Sequence, residues 1–367
     1  MNWQERWTGW RNRILSDPGF QHWAARLWMT RPVARMRARR IFDLVAGFAY
    51  SQVLDACIRS RLLDRLAEGP MTSRAVAAAT DLPEAGAERL LRAAAALRLT
   101  ERLDDGRWTL GSDGAALRGN GGIADMVAHH HLLYADLADP LALLRRGGGG
   151  GALARYWHYA EDVGQGDGDQ VAPYSALMAA SQPLIAKQVI DAYRFSRHRR
   201  MLDVGGGQGA FLCAVAAAAP ALELALFDLP AVGVRARQAC DSAGCGDRVT
   251  IHGGSFLADP LPQGYDLITL VRVLHDHDDD PAMFLLRSIH AALPPAGRLL
   301  LAEPMARTRG AEPAGDAYFG LYLLAMGSGR PRSFEEIAGM AKAVGFRRIR
   351  RIRTAMPLTT SILLAER

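Results

Sequence analysis

Three short stretches carry residues that could do chemistry together. In Asp203-Val-Gly-Gly-Gly-Gln-Gly209 an acid precedes glycines at 205, 207 and 209. Glycines at alternate positions let the backbone take positive φ and approach a ligand closely. An apolar run before the turn and an apolar helix after it would aim backbone N–H groups at an anionic end of that ligand. Asp228 closes the next apolar run about twenty residues on, where a carboxylate can accept from both hydroxyls of a ribose. Leu274-His-Asp-His-Asp-Asp-Asp280 follows a further apolar run. A histidine among acids is either a general base or a metal ligand. Consecutive residues do not all converge on one ion, so the base is favoured, and no metal is expected. An imidazole near its ordinary pKa of ~6.5 is neutral and competent at neutral pH. Glu303, ending the neighbouring apolar run, is placed to orient its second nitrogen.

The glycine spacing bears on the ligand. Dinucleotide folds place G-x-G-x-x-G after their first strand. Here the acid comes first and the glycines fall on every second residue. Asp228 alone fits either a nicotinamide dinucleotide or S-adenosylmethionine. The acid-first spacing favours the latter, whose amino-acid end has no pyrophosphate to cradle. A glycine turn used only for packing is the plain alternative.

These residues need a scaffold that brings strand ends together. Strands are expected at 201–204, 222–228, 248–252, 265–273 and 298–303, with helices at about 209–219, 231–243 and 280–293. Such alternation makes a parallel α/β sheet that binds ligands at its carboxyl edge. Helices at about 312–326 and 333–344 and closing strands near 346–353 and 358–365 complete it. The expected fold class is α/β: a Rossmann-like seven-strand sheet, one antiparallel strand inserted at an edge, with an N-terminal all-helical winged-helix dimerisation domain.

The winged helix is read from residues 41–120. Apolar residues recur at helical spacing over 41–66, ended by Gly69-Pro70. Helices follow at about 72–80 and 84–99, then a hairpin around Asp104-Asp105-Gly106 with Trp108 in its return strand. The second helix is mostly alanine and leucine, and a helix that reads base edges needs outward Arg, Asn, Gln or Lys. A dimerisation scaffold is therefore expected and nucleic acid is not. Residues 121–200 form a helical linker and substrate-pocket region, with helices over 123–145 and 174–193 and glycine-rich connections at 147–151 and 164–169. His129, His130 and His131 are adjacent and do not share a helix face; one of them facing a pocket is expected, a three-histidine metal site is not.

Hydrophobic residues make up 49% of the 367 and charged residues 22%, the balance of a soluble globular chain. With no run of ~20 uncharged apolar residues, no spanning helix is expected, and with no export pattern a cytoplasmic location is. Cys57, Cys213, Cys240 and Cys245 are widely spaced and read as incidental reduced thiols. The net charge of +6 is uneven: residues 1–40 hold nine arginines against Glu5 and Asp17. The same arm holds Trp3, Trp7, Trp10, Trp23 and Trp28, five of the seven tryptophans. Arginine with tryptophan fits a segment lying on an anionic lipid surface, peripheral to the inner membrane, or one packed on a partner subunit.

Asp203-Val-Gly-Gly-Gly-x-Gly209, Phe227-Asp-Leu-Pro230, Arg272-Val-Leu-His-Asp276 and Leu301-Ala-Glu303 together resemble the S-adenosylmethionine-dependent O-methyltransferases of the plant and acetylserotonin type, from about residue 41 onward. The resemblance implies a homodimer intertwined through the winged helix. It implies His275 as general base with Glu303 positioning it and Asp276 beside it. S-adenosylmethionine, leaving as S-adenosylhomocysteine, would be held by Asp203, Gly205, Gly207, Gly209, Asp228, Leu229, Gly254, Ser255, Phe256 and Arg272. The arm, Tyr174-Ser-Ala-Leu-Met-Ala-Ala-Ser-Gln-Pro183 and Gly315-Asp-Ala-Tyr-Phe-Gly320 are most similar to the bacterial carotenoid members, the hydroxyneurosporene (demethylspheroidene) O-methyltransferases. That implies a hydrophobic small-molecule acceptor, with Met178, Phe319, Tyr322, Leu323 and Met326 as pocket candidates. A phenolic or other secondary-metabolite hydroxyl is the alternative acceptor; a winged-helix transcription regulator and a nicotinamide dehydrogenase are the readings from other classes. Three departures stand out. Ser255 replaces an aspartate that Asp259 could replace in turn, His277 replaces a tryptophan, and Pro331 stands where plant enzymes carry a second glutamate. The last leaves His275 oriented by Glu303 alone.

Overall fold

A computed structural model describes residues 2–119, 121–161 and 172–367, the side chains of 157–181 excepted. The chain divides into two compact units, Met1–Arg118 and Gly119–Arg367.

The first unit begins with helices Trp3–Ser16, Pro18–Arg26 and Arg31–Arg59. The helix expected to run through 41–66 breaks instead at Ser60. The Ser60 hydroxyl donates back to the Ala56 carbonyl at 2.7 Å, Arg61 turns left-handed at φ 56°, and Leu62–Glu68 starts afresh. Its leucines 62, 63 and 66 join Val76, Leu91 and Trp108 in the core of the winged helix. Strands β1 (Thr100–Arg102) and β2 (Trp108–Leu110) pair antiparallel, and the Trp108 indole donates to Ser73 Oγ at 3.0 Å. The unit is therefore helical with a two-strand wing, not all helical. Arg31–Arg59 is long and apolar enough to cross a membrane, with a window of mean hydropathy 1.4 of which 11% is buried. The expectation of no such helix demanded a run free of charge, and Asp43 and Asp55 interrupt this one.

The second unit is built on a seven-strand sheet. Its strands are β3 (Arg200–Val204), β4 (Glu223–Asp228), β5 (Val249–Gly253), β6 (Leu267–Val271), β7 (Arg298–Glu303), β8 (Arg347–Ile352) and β9 (Ser361–Glu366), in the order β5-β4-β3-β6-β7-β9-β8. The first five are parallel, and β9 runs antiparallel between β7 and β8. β6 is buried along its whole length and β7 along all but its first residue, which is why both read as unbroken apolar runs. Helices Ala210–Ala218, Pro230–Ser242 and Asp279–Ala292 cover the faces. Because the chain order reverses between β3 and β6, a crevice opens at their carboxyl ends.

Beyond β7 the expected helix is two pieces: a π-helical turn, Pro313–Phe319, and an α-helix, Gly320–Met326. Three of the four cysteines are not scattered either. Cys213 Sγ lies 3.7 Å from Cys240 Sγ and 3.9 Å from Cys245 Sγ, because helix 210–218 packs on helix 230–242. Among the described residues this is a grouping with metal-like proximity that sequence spacing did not show. The glycine-rich stretch 164–169 lies outside the described residues.

Candidate active site

The acid at the end of β3 is fully enclosed. Thr269 on β6 donates to Asp203 Oδ1 at 2.5 Å, while Oδ2 has no partner. Burial, together with the charge of Asp228, raises the Asp203 pKa to about 7 despite the Thr269 hydrogen bond. Gly205, Gly207 and Gly209 all take positive φ (69°, 58° and 77°). A side chain at Gly205 would strike Val273, at 2.8 Å, and one at Gly206 would strike Asp203 Oδ2, at 2.5 Å. One at Gly207 would meet nothing within 4 Å. The turn is thus packed beneath and open above, as a cradle must be.

Asp228 ties the cradle to β4. Its Oδ2 accepts from Gly207 N–H at 2.8 Å and its Oδ1 from Leu229 N–H at 2.7 Å. Burial raises its pKa, and those two donors hold the rise back. One lone pair on each oxygen stays available for a diol. After β5, Gly254 donates to the Asp228 carbonyl at 2.9 Å and leaves no room for a side chain against the Phe227 ring. Ser255 N–H donates to Asp259 Oδ2 at 2.8 Å, so a carboxylate does stand beside the serine. Phe256 meets His277 edge to face at 5.3 Å between ring centres. Arg272, at φ 58°, bends the chain out of β6, and its charge acts on Tyr318 and Tyr322. A buried acid with one unpaired oxygen, a glycine-rich turn and a diol-ready carboxylate fit the amino-acid and ribose portions of S-adenosylmethionine.

His275 sits in a short 3-10 turn, Leu274–Asp276, and is 3% exposed. Its backbone N–H and its Nδ1 both reach Glu303 Oε2, at 3.2 and 3.3 Å. Its Nε2 lies 3.1 Å from Asp276 Oδ1. Burial opposes the charged ring, but Asp276 and then Glu303 outweigh it and lift the pKa to about 9. Two sequence expectations are corrected by this arrangement. The histidine is flanked by two carboxylates rather than by Glu303 alone, and they favour its charged form above the ordinary imidazole range. Glu303 is wholly buried, and its Oε1 has no partner.

One part of the site was missed by sequence reasoning. Arg332, 0% exposed, donates to the Leu274 carbonyl (3.0 Å), the His277 carbonyl (2.8 Å) and Asp279 Oδ1 (2.7 Å). Ser328 Oγ donates to the Asp276 carbonyl at 2.9 Å and Gly329 N–H to Asp278 Oδ1 at 3.0 Å. A side chain at Gly329 would fall 2.2 Å from the His275 carbonyl oxygen. Residues 328–332 are therefore a strap drawn over the histidine turn. No local signal marks it, since an arginine beside Pro331 reads as a solvated loop.

The pocket candidates separate. Phe319, last residue of the π turn, lies 6.1 Å from the His275 ring. Tyr322, Leu323 and Met326 are buried in a core with Leu133, Leu143 and Leu153. Tyr322 also pairs with His129 Nε2 at 3.1 Å. These three are packing residues as much as pocket wall, and the side chain of Met178 lies outside the described residues. His130 Nε2 reaches Tyr318 OH at 2.7 Å and His131 Nδ1 the Ala128 carbonyl at 2.8 Å, so the three histidine rings go to three separate partners. Burial, then the charges of His130 and His131, lower the His129 pKa to about 4 and keep it neutral.

A nucleoside cradle facing a carboxylate-flanked histidine across the carboxyl edge of such a sheet defines a group-transfer enzyme of the methyltransferase class. Comparisons with known proteins narrow the class. Residues 134–347 match the O-methyltransferase domain and residues 42–115 the O-methyltransferase dimerisation domain. Demethylspheroidene O-methyltransferase of Cereibacter sphaeroides is 44% identical, over 97% of this chain and 94% of that protein. Acetylserotonin O-methyltransferase of Mus musculus is 31% identical, over 85% of this chain and 84% of its own. Among solved structures, mitomycin 7-O-methyltransferase MmcR aligns with a TM-score of 0.74 at 26% identity, over 92% of this chain and all of that one. The chain belongs to the O-methyltransferase family.

Proposed function

We propose that the protein transfers a methyl group from S-adenosylmethionine to the hydroxyl of a long, apolar acceptor of the hydroxylated carotenoid type, with His275 as general base. The observation that carries the chemistry is the meeting of cradle and base. Val273, two residues before His275, packs directly on Gly205, so the two halves of the site share a wall. The acceptor class rests on the name of the relative at 44% identity, and Phe319 beside the base supplies an apolar contact for it.

When bound, S-adenosylmethionine supplies a methyl group activated by its sulfonium. Asp203 and the glycine turn hold its amino-acid end, Asp228 its ribose, and Gly254, Ser255 and Phe256 its adenine, with Asp259 standing in for the absent aspartate. Alignment of this kind is worth up to ~7–11 kcal/mol of a barrier. Glu303 fixes Nδ1, so in the neutral ring, the form whose share grows as pH approaches about 9, Nε2 is the nitrogen that takes the acceptor's proton. For that, the hydroxyl must displace Asp276 from Nε2, and Asp276 is then the nearest carboxylate for the imidazolium that forms. An alkyl hydroxyl is a far weaker acid than imidazolium, so proton removal accompanies methyl transfer, and base assistance adds ~10²–10⁴-fold. An acceptor with a carotenoid chain resides in the bilayer, which makes a dimeric cytoplasmic enzyme working at the membrane surface part of the same reading.

Labelled S-adenosylmethionine incubated with carotenoid, phenolic and indolic alcohols tests the proposal. Methylation of the carotenoid alcohols is expected, lost in His275→Ala with donor binding retained. Near-normal turnover in that variant overturns the base, and turnover of only the phenols overturns the acceptor.

A further inference from the structure

Helix Trp3–Ser16 buries none of its residues. At ~100° of rotation per residue, Trp3, Trp7, Trp10 and Ile14 fall in one sector about 60° wide. Arg6 and Arg13 border that sector on one side and Arg11 borders it on the other. All three arginines are exposed. Glu5, the only acid of the helix, points elsewhere and accepts from the Asn2 N–H at 2.9 Å in a capping box that fixes the helix start. The indoles form a continuous strip: Trp3 stacks on Trp7 at 6.3 Å and Trp7 meets Trp10 at 4.9 Å, with 78%, 49% and 52% of these residues exposed. In the next helix Trp23, 53% exposed, pairs with Phe20 at 5.8 Å.

We propose that the Trp3–Trp7–Trp10 strip docks flat on an anionic lipid surface, its indoles at headgroup depth and Arg6, Arg11 and Arg13 on the phosphates. Two features favour lipid over a second copy of the chain. Indole is amphipathic and prefers a membrane interface to a dry core, and this strip is indole almost throughout. Its cationic border is repeated at larger scale: the first 40 residues carry a surplus of seven positive charges, although the whole chain carries only six. Such a surface complements anionic headgroups and would repel its own copy. The role extends the proposed function, since docking brings the site to an acceptor dissolved in the bilayer. Vesicle binding needs neither donor nor acceptor, so it can be lost while methyl transfer is kept, and the reverse.

The test is co-sedimentation of the full chain with vesicles of phosphatidylglycerol and phosphatidylcholine, against phosphatidylcholine alone. Wild type should bind the anionic vesicles preferentially and lose binding as salt is raised. Trp3→Ala/Trp7→Ala/Trp10→Ala and Arg6→Gln/Arg11→Gln/Arg13→Gln should each lower the partition coefficient at least tenfold, with unchanged circular dichroism and unchanged oligomeric state by sedimentation velocity. Equal binding by wild type and both variants overturns the proposal. So does a tryptophan variant whose oligomer dissociates, which would assign the strip to a second copy.

Discussion

His275 Nε2 lies 3.1 Å from Asp276 Oδ1, its immediate neighbour in sequence. The nitrogen to which the proposed mechanism gives the acceptor's proton is therefore held by a carboxylate, and Asp276, with Glu303 on Nδ1, raises the pKa of the ring to about 9. Methyl transfer should rise with pH until about 9. Asp276→Asn should shift that limb of the rate profile to lower pH by about a unit or more while leaving donor affinity unchanged, as pH profiles of single turnover would record. The same pairing stabilises the fold: a raised histidine pKa contributes fully below the unfolded value of ~6.5 and is lost as pH climbs through about 9. Melting temperatures should fall across that window in wild type and fall less in His275→Gln.

Asp203 offers a second pH dependence of opposite use. In its proposed place at the donor's cationic amino-acid end, a carboxyl raised to about 7 by burial is charged in a growing share of molecules as pH passes neutrality. Affinity for S-adenosylmethionine should increase between pH 6 and pH 8, and Asp203→Asn should flatten that increase, both by calorimetry.

Asp228, the proposed ribose contact, also accepts from Gly207 N–H. Asp228→Ala should weaken donor binding by about 10–100-fold, in line with the ~1–3 kcal/mol of orphaning a buried donor and losing a diol contact. Calorimetry checks this directly.

The strap over the histidine turn has its own signature. Gly329→Ala would drive a methyl group into the His275 carbonyl, so turnover should fall about 100-fold with donor affinity retained. Arg332→Met orphans the carbonyls of Leu274 and His277 and should cost on the order of 3 kcal/mol of stability, read by denaturant unfolding.

Phe319 and Met326 should behave differently although both were read as pocket wall. Phe319→Ala, next to His275, should raise KM for the acceptor. Met326→Ala, 2% exposed in the core with Leu143 and Leu323, should instead cost about 2–5 kcal/mol in folding.

What could be read in the sequence was whatever the chain declares locally. Strands β6 and β7 are apolar runs, Asp203 ends an apolar run that the glycines follow, His275 comes shortly after β6 and Glu303 ends β7, so the sheet and the carboxyl-edge cluster were legible. What lay hidden depends on residues far apart. Arg332 finds its carbonyl acceptors some fifty-five residues earlier in the chain, the three cysteines meet only because two helices pack, and the break at Ser60 is set by where Leu62 and Leu66 must be buried. The π turn ending at Phe319 has no period of its own to announce it. The charge state of His275 depended on which carboxylates reached it, and spacing shows only that carboxylates are near.

The position of β9 has a bearing on how the molecule comes into being. β7, which carries Glu303, has β9 as its partner on one side, and Glu303 itself stands opposite Ser361. During synthesis the base and its orienting acid are made long before that neighbouring strand. Glu303 thus waits at an open sheet edge until residues 361–366 have left the ribosome, and a nascent chain arrested short of them would carry the candidate site's residues on an unfinished sheet.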